Sequence, residues 1–187
     1  EKDEHRTLEI VRIGTCGGMQ EDIPLGTFLV SEKSIGWDGV LAFYEGRDEI
    51  VDLGFEDALV DFIHYPAKAA RPYVVAANPE LVNRIAGDDM MRGCTIAANG
   101  FYGPQGRVLR CDLAVKDINE RITDFRYEGQ RITNYEMEGS AIAGLSLLMG
   151  HKAMTVCCVI AQRKVEAANT DYKPRIKQLV QTVLERI

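Results

Sequence analysis

Residues 153–161 run Ala, Met, Thr, Val, Cys, Cys, Val, Ile, Ala without a single charge. So short and apolar a stretch reads as a strand buried on both faces, which is the mark of a central sheet in an α/β protein. Strand-like stretches recur at 8–13, 26–31, 73–77, 93–98 and 131–135. Strands covered on both sides need helices between them, and three have start or stop signals. Asn78, Pro79 and Glu80 supply an N-cap, a first-turn proline and an early carboxylate for a helix running to about Ala86, with Gly87 as its stop. Residues 137–149, rich in Ala, Gly, Ser and Leu, can pack closely on a sheet before Gly150 ends them. Ile176, Leu179, Val180, Val183, Leu184 and Ile187 form the single apolar face of a last helix, started by a turn at Thr170-Asp171.

The 187 residues fit one domain, 1–187, with no repeat, low-complexity tract or dividing linker. The glycine- and aromatic-rich stretch 34–55 reads as a long loop, either a ligand or subunit contact or a surface excursion. With 22 basic and 28 acidic residues the net charge is -6. That disfavours broad electrostatic binding to nucleic acid or acidic lipid and leaves room for a local basic pocket. The 153–161 run is about half the roughly 20 residues of a membrane helix, so no membrane span is expected. Five cysteines without a CxxC pair suit neither a disulfide framework nor a zinc site, and imply a reduced, cytoplasmic protein. Cys157 and Cys158, adjacent in a strand, point to opposite faces and read as core, as do Cys94 and Cys111. His5, His64 and His151 read as surface or turn residues. The start, Glu1-Lys2-Asp3-Glu4-His5-Arg6, has no initiator methionine and leads straight into a strand, so an N-terminal portion is expected to be missing.

Four segments carry groups suited to chemistry. Arg12-Ile13-Gly14-Thr15-Cys16-Gly17-Gly18 reads as a strand followed by a glycine turn that could admit an anion, or simply as a tight turn. Gly100-Phe101-Tyr102-Gly103-Pro104-Gln105-Gly106-Arg107 offers an aromatic face, a carboxamide and a guanidinium that together can read a pyrimidine edge; the alternative is a plain loop. Asn134-Tyr135-Glu136-Met137-Glu138-Gly139-Ser140 lies where a strand gives way to a helix, with two carboxylates that could hold sugar hydroxyls or complement a helix dipole. Ala161-Gln162-Arg163 ends a buried strand with an arginine.

In this order the four segments resemble the nucleoside phosphorylase superfamily, and within it the uridine phosphorylases. The resemblance implies a three-layer α/β/α sandwich around a mixed, partly barrel-like sheet. It implies reversible phosphorolysis of uridine or another pyrimidine nucleoside to the base and ribose 1-phosphate, with inorganic phosphate as co-substrate, no metal or organic cofactor, and a homo-oligomer, dimer or hexamer. It places Arg12, Gly14 and Thr15 on phosphate. Cys16, Gly17, Phe101, Gln105, Arg107, Tyr135 and Arg163 fall on the base, and Thr15, Glu136, Met137 and Glu138 on ribose. Arg12, Thr15, Gln105 and Arg107 become the catalytic set. Relatives also carry a glycine-arginine phosphate loop upstream and a histidine from a neighbouring subunit, neither of which precedes Glu1, so only part of the phosphate site is expected here. A purine nucleoside phosphorylase, a nucleosidase and a catalytically silent nucleoside-binding or assembly subunit are the alternatives; arginine rather than an acid at position 163 weighs against the purine enzyme.

Overall fold

The computed structural model describes residues 4–163 and 167–187. β1 (Glu9–Gly18) and β2 (Phe28–Gly36) are followed by a 3-10 turn (Val40–Phe43), α1 (Arg47–Ile50), α2 (Leu53–Ile63) and β3 (Tyr73–Ala76). Then come α3 (Pro79–Ile85), β4 (Met90–Ala97), a 3-10 turn (Gly103–Gln105), α4 (Ile118–Asp124), β5 (Arg126–Tyr127) and β6 (Gln130–Glu136). α5 (Gly139–Leu148), β7 (Lys152–Gln162), β8 (Ala167–Ala168) and α6 (Lys173–Arg186) complete the order. Among the described residues no helix is long and apolar enough to cross a membrane.

The sheet is mixed, as expected, and it closes on itself. Its order is β3-β2-β4-β6-β1-β7-β8, and β2 also pairs with β7, so β2, β4, β6, β1 and β7 form a ring. β1 lies parallel to β7 along its whole length and meets β6 only at Gly17 and Gly18. The edge of β1 from Glu9 to Cys16 therefore has no strand beside it among the described residues.

Helices cover the sheet through separate apolar clusters. Leu81, Val82 and Ile85 of α3 join Leu179 and Val183 of α6 over Phe28, Val30, Met154 and Val156. Phe55, Leu59 and Ile63 of α2 join Ile118 and Ile122 of α4 over Ile35, Val74, Ile96 and Ile132. α5 carries Ala143 into a cluster with Leu41, Tyr73 and Val75.

Three expectations change. The glycine segment 14–18 is strand, held by the β7 ladder, and makes no turn. The stretch 34–55 is mostly ordered structure: Ser34 to Gly36 finish β2, and α1 and the start of α2 follow, with the α2 N-cap Asp52 accepting from the Phe55 amide at 3.0 Å. Cys111 is exposed, unlike the buried Cys16, Cys94, Cys157 and Cys158. Cys157 and Cys158 do face opposite ways, the first toward Cys16 and Val159 and the second toward Phe28 and Val156.

Candidate functional site

The loop after β4 folds back so that the 3-10 turn Gly103–Gln105 delivers Gln105 into the protein, where only 4% of it is exposed. Its Oε1 accepts from Arg107 Nη1 and from Arg163 Nη2, each at 2.6 Å, and Arg163 Nη1 donates to its backbone carbonyl at 2.7 Å. Two guanidinium groups thus converge on one oxygen. Arg107 lies 3.8 Å over the Phe101 ring and donates to the Phe101 carbonyl; Arg163 lies 4.7 Å over the Tyr135 ring. Burial and then the neighbouring Arg107 push Arg163 down to about 10. Burial also lowers Arg107. Two crowded cations in a protein of net charge -6 make a local demand for negative charge.

Asn119 fixes this turn from α4. Its Nδ2 donates to the carbonyls of Gln105 and Gly106 at 3.3 and 3.2 Å, and its Oδ1 accepts from the Tyr135 hydroxyl at 3.2 Å. Gly106 has φ +68, and a side chain there would collide with Asn119, so this position needs glycine twice over.

A second group gathers around Arg12. Its guanidinium donates to Cys157 Sγ at 3.3 Å, contacts Glu136 Oε2 at 3.1 Å and pairs with Glu138. It lies over Gly14, where a Cβ would come within 2.7 Å of Nη1. The Glu136 side chain is fully buried and also accepts from the amides of Glu138 and Gly139 at 2.9 Å, so it caps α5. Burial raises Glu136, while Arg12 and the two amides pull against it. Arg12 loses charge stability to burial, yet Cys157, Glu136 and Glu138 together hold it above its ordinary value.

The structure therefore brings Gln105, Arg107, Arg163, Phe101 and Tyr135 into one cluster and Arg12, Gly14, Glu136 and Glu138 into another. Gly17 adjoins the first, its Cβ position 3.7 Å from Arg163 Nε. Along β1 Gly14 and Gly17 are about 10 Å apart and, being three residues apart, turn to opposite faces of the strand. Thr15 is half-buried on the same strand and Met137 is exposed at the exit of β6.

Two site expectations shift. Cys16 does not present its thiol to the base cluster: strand alternation turns it opposite to Gly17, into a core group with Ile23, Leu29 and Val159. Glu136 offers no exposed carboxylate to a sugar, because its oxygens are occupied by Arg12 and the α5 amides. Sequence reasoning gave no site role to Asn119 or to Cys157. Asn119 sits in a short helix with no motif around it; Cys157 is read correctly as buried, and only the fold shows Arg12 against its sulfur.

Residues 3–186 match the phosphorylase superfamily. The chain is 41% identical over 161 residues to uridine phosphorylase A of Schistosoma mansoni, covering 82% of this chain and 47% of that protein. To a uridine phosphorylase of Thermococcus kodakarensis it is 26% identical over 153 residues, covering 82% and 48%. The crystal structure of a Trypanosoma brucei nucleoside phosphorylase, described as showing uridine phosphorylase activity, superposes with a TM-score of 0.80 at 26% identity, covering 95% of this chain and 62% of that one. Isoform 2 of uridine phosphorylase from Schistosoma mansoni shares the fold, with a TM-score of 0.64 at 22% identity over 96% of this chain and 59% of that one. The chain spans about half the length of the curated relatives it matches.

Proposed function

Since this chain belongs to the phosphorylase superfamily, we propose that it carries the base- and sugar-binding part of a uridine phosphorylase. The reaction is reversible phosphorolysis of uridine to uracil and ribose 1-phosphate. The observation that carries this reading is the convergence of Arg107 and Arg163 on Gln105 Oε1. Uracil presents two carbonyl oxygens around an N–H, so its oxygens can take over the guanidinium donors that Gln105 now holds, while the freed carboxamide reads O2 and N3–H.

As phosphate attacks the sugar carbon, the glycosidic bond breaks and its electron pair moves onto the base. Donors already fixed beside the base oxygens strengthen as that charge grows, which lowers the barrier without reorganisation. Arg12 holds phosphate, and Glu138, half-exposed beside it, accepts from ribose hydroxyls. Phosphate entering at Arg12 must displace the Glu138 carboxylate, which frees that carboxylate for the sugar. Inorganic phosphate is the only co-substrate this chemistry needs.

A homo-oligomer, dimer or hexamer, completes the phosphate side. Exposed Phe101, Tyr102, Val108 and Leu109 beside the base loop, at 52 to 70% exposure, support a partner there. Five free cysteines suit a reducing compartment such as the cytoplasm.

The test is turnover by the intact protein. Uridine with phosphate should give uracil faster than inosine gives hypoxanthine, and omission of phosphate should abolish the reaction. Gln105→Glu puts a carboxylate against the charge developing on the base, so kcat/KM for uridine should fall by roughly a hundredfold or more, with circular dichroism unchanged. Preference for inosine, or equal turnover without phosphate, overturns the assignment.

A further inference from the structure

The turn that carries Gln105 keeps its backbone bonds to itself. The amides of Gln105 and Arg107 donate to the Tyr102 carbonyl at 3.0 Å, and that of Gly106 to the Gly103 carbonyl at 2.9 Å. From outside the loop, Arg163 reaches the turn through the Gln105 carbonyl and Oε1, and Asn119 reaches it through the carbonyls of Gln105 and Gly106. We propose that Asn119 is a positioning residue for base recognition, the clamp that holds Gln105 in place once the base has taken the arginine donors. This rests on the uridine phosphorylase reading and adds a residue to its base site.

Binding of the base makes the two anchors unequal. When uracil oxygens take the donors of Arg107 and Arg163 from Gln105 Oε1, the carboxamide loses the two 2.6 Å bonds that fix it. Asn119 gives up nothing to the base. Its Oδ1 is taken by the Tyr135 hydroxyl at 3.2 Å and its Nδ2 by the two carbonyls, so it acts through the turn and not by touching substrate. The Tyr135 hydroxyl also fixes which way the amide lies, because only with Oδ1 toward that donor does Nδ2 face the carbonyls.

The clamp is rooted in packed structure. Ile118 and Ile122 carry α4 into the core, and Thr123 Oγ1 donates to the Asn119 carbonyl at 2.8 Å. Gln20 Nε2 then donates to the carbonyls of Thr123 at 3.1 Å and Ile132 at 2.7 Å, which ties α4 to β6. A group that reads a base must be held within about 0.5 Å of its productive geometry, so a two-bond hold from a fixed helix bears directly on recognition.

The test is kcat/KM for uridine in the intact protein. Asn119→Ala should lower it roughly tenfold, as loss of one or two hydrogen bonds does, with the phosphate KM and circular dichroism little changed, since alanine suits a helix better than asparagine. Asn119→Asp keeps the acceptor for Tyr135 and suits a first helical turn, but it turns a carboxylate oxygen on two carbonyls. It should lose at least as much, and it keeps the proposal testable if Asn119→Ala does not fold. On a Gln105→Ala background, Asn119→Ala should cost about twofold or less, because the group it positions is gone. Normal kcat/KM in either folded variant, or the same tenfold cost with and without Gln105, would overturn the role of Asn119 and leave the phosphorylase reading standing. A wild type inactive on uridine would overturn that reading, and this role with it.

Discussion

Arg12 depends on the missing side chain of Gly14 as much as on its own charge. Its guanidinium occupies the volume a Gly14 side chain would need, so Gly14→Ala must push it off Glu136 and Cys157. Arg12→Ala should raise the apparent phosphate KM of the intact protein roughly tenfold or more, through loss of a charge-assisted anion contact, and should also lower stability because it strips the buried Glu136 carboxylate of its guanidinium partner. Gly14→Ala should raise it in the same direction and by less. An unchanged KM in folded Arg12→Ala protein would assign that arginine to structure alone. Glu136 gives a pH signature. Its folded value lies above the usual 4.5, so from that pH upward the native state holds more proton than the unfolded chain, and stability falls as pH rises until the folded value is passed. Denaturation of wild type against Glu136→Gln should therefore show wild type losing relative stability above about pH 4.5, by at most about 1.4 kcal/mol per pH unit. A difference independent of pH would overturn this.

The pairing of β2 with β3 offers a test at the level of one element. Gly36 opposes Tyr73 in that ladder, the Tyr73 ring covers the position of a Gly36 side chain, and the Tyr73 hydroxyl lies 3.0 Å from both Asp38 Oδ1 and Ser140 Oγ, donating its one proton to the carboxylate. Gly36→Ala should destabilise by about 1–3 kcal/mol, as overpacking does, measured as a lower urea midpoint. Among the elements themselves, β7 and α6 were legible because their apolar patterns are long: the 153–161 run lies inside β7, and the i, i+3, i+4 face of the last helix buries Leu179 and Val183. α2 was hidden by its surroundings. Asp52, Phe55, Leu59 and Ile63 carry a cap and a helical stripe, but the glycines and aromatics before them suggested loop. α4 has seven residues, too few for a period to stand out. In β1 the glycines serve neighbours instead of a turn: they leave room for Arg12 over Gly14 and for Arg163 beside Gly17, and that purpose exists only once distant strands are side by side. The gathering of Gln105, Arg107 and Arg163 followed from the resemblance, whereas the hold of Asn119 on that turn needed the tertiary structure.

At the scale of the whole molecule, ring closure between β2 and β7 ties residues about 130 apart, with Phe28 opposite Cys158 and Ser31 opposite Thr155. Local openings cannot release one of these strands without breaking ladders on both sides, so their amides should exchange only on global unfolding. Hydrogen exchange should find β2 and β7 among the slowest segments and the 100–116 loop among the fastest; β7 exchanging as fast as that loop would contradict this. The open side of β1 has the opposite consequence. From Glu9 to Cys16 a row of peptide groups faces away from β7 with no adjoining strand among the described residues, and such a row can template a strand from another molecule. Heated gently, this chain should become turbid with a rate that rises steeply with protein concentration and bind an amyloid dye as it does, so that the strand carrying Arg12 is also the one expected to nucleate fibres.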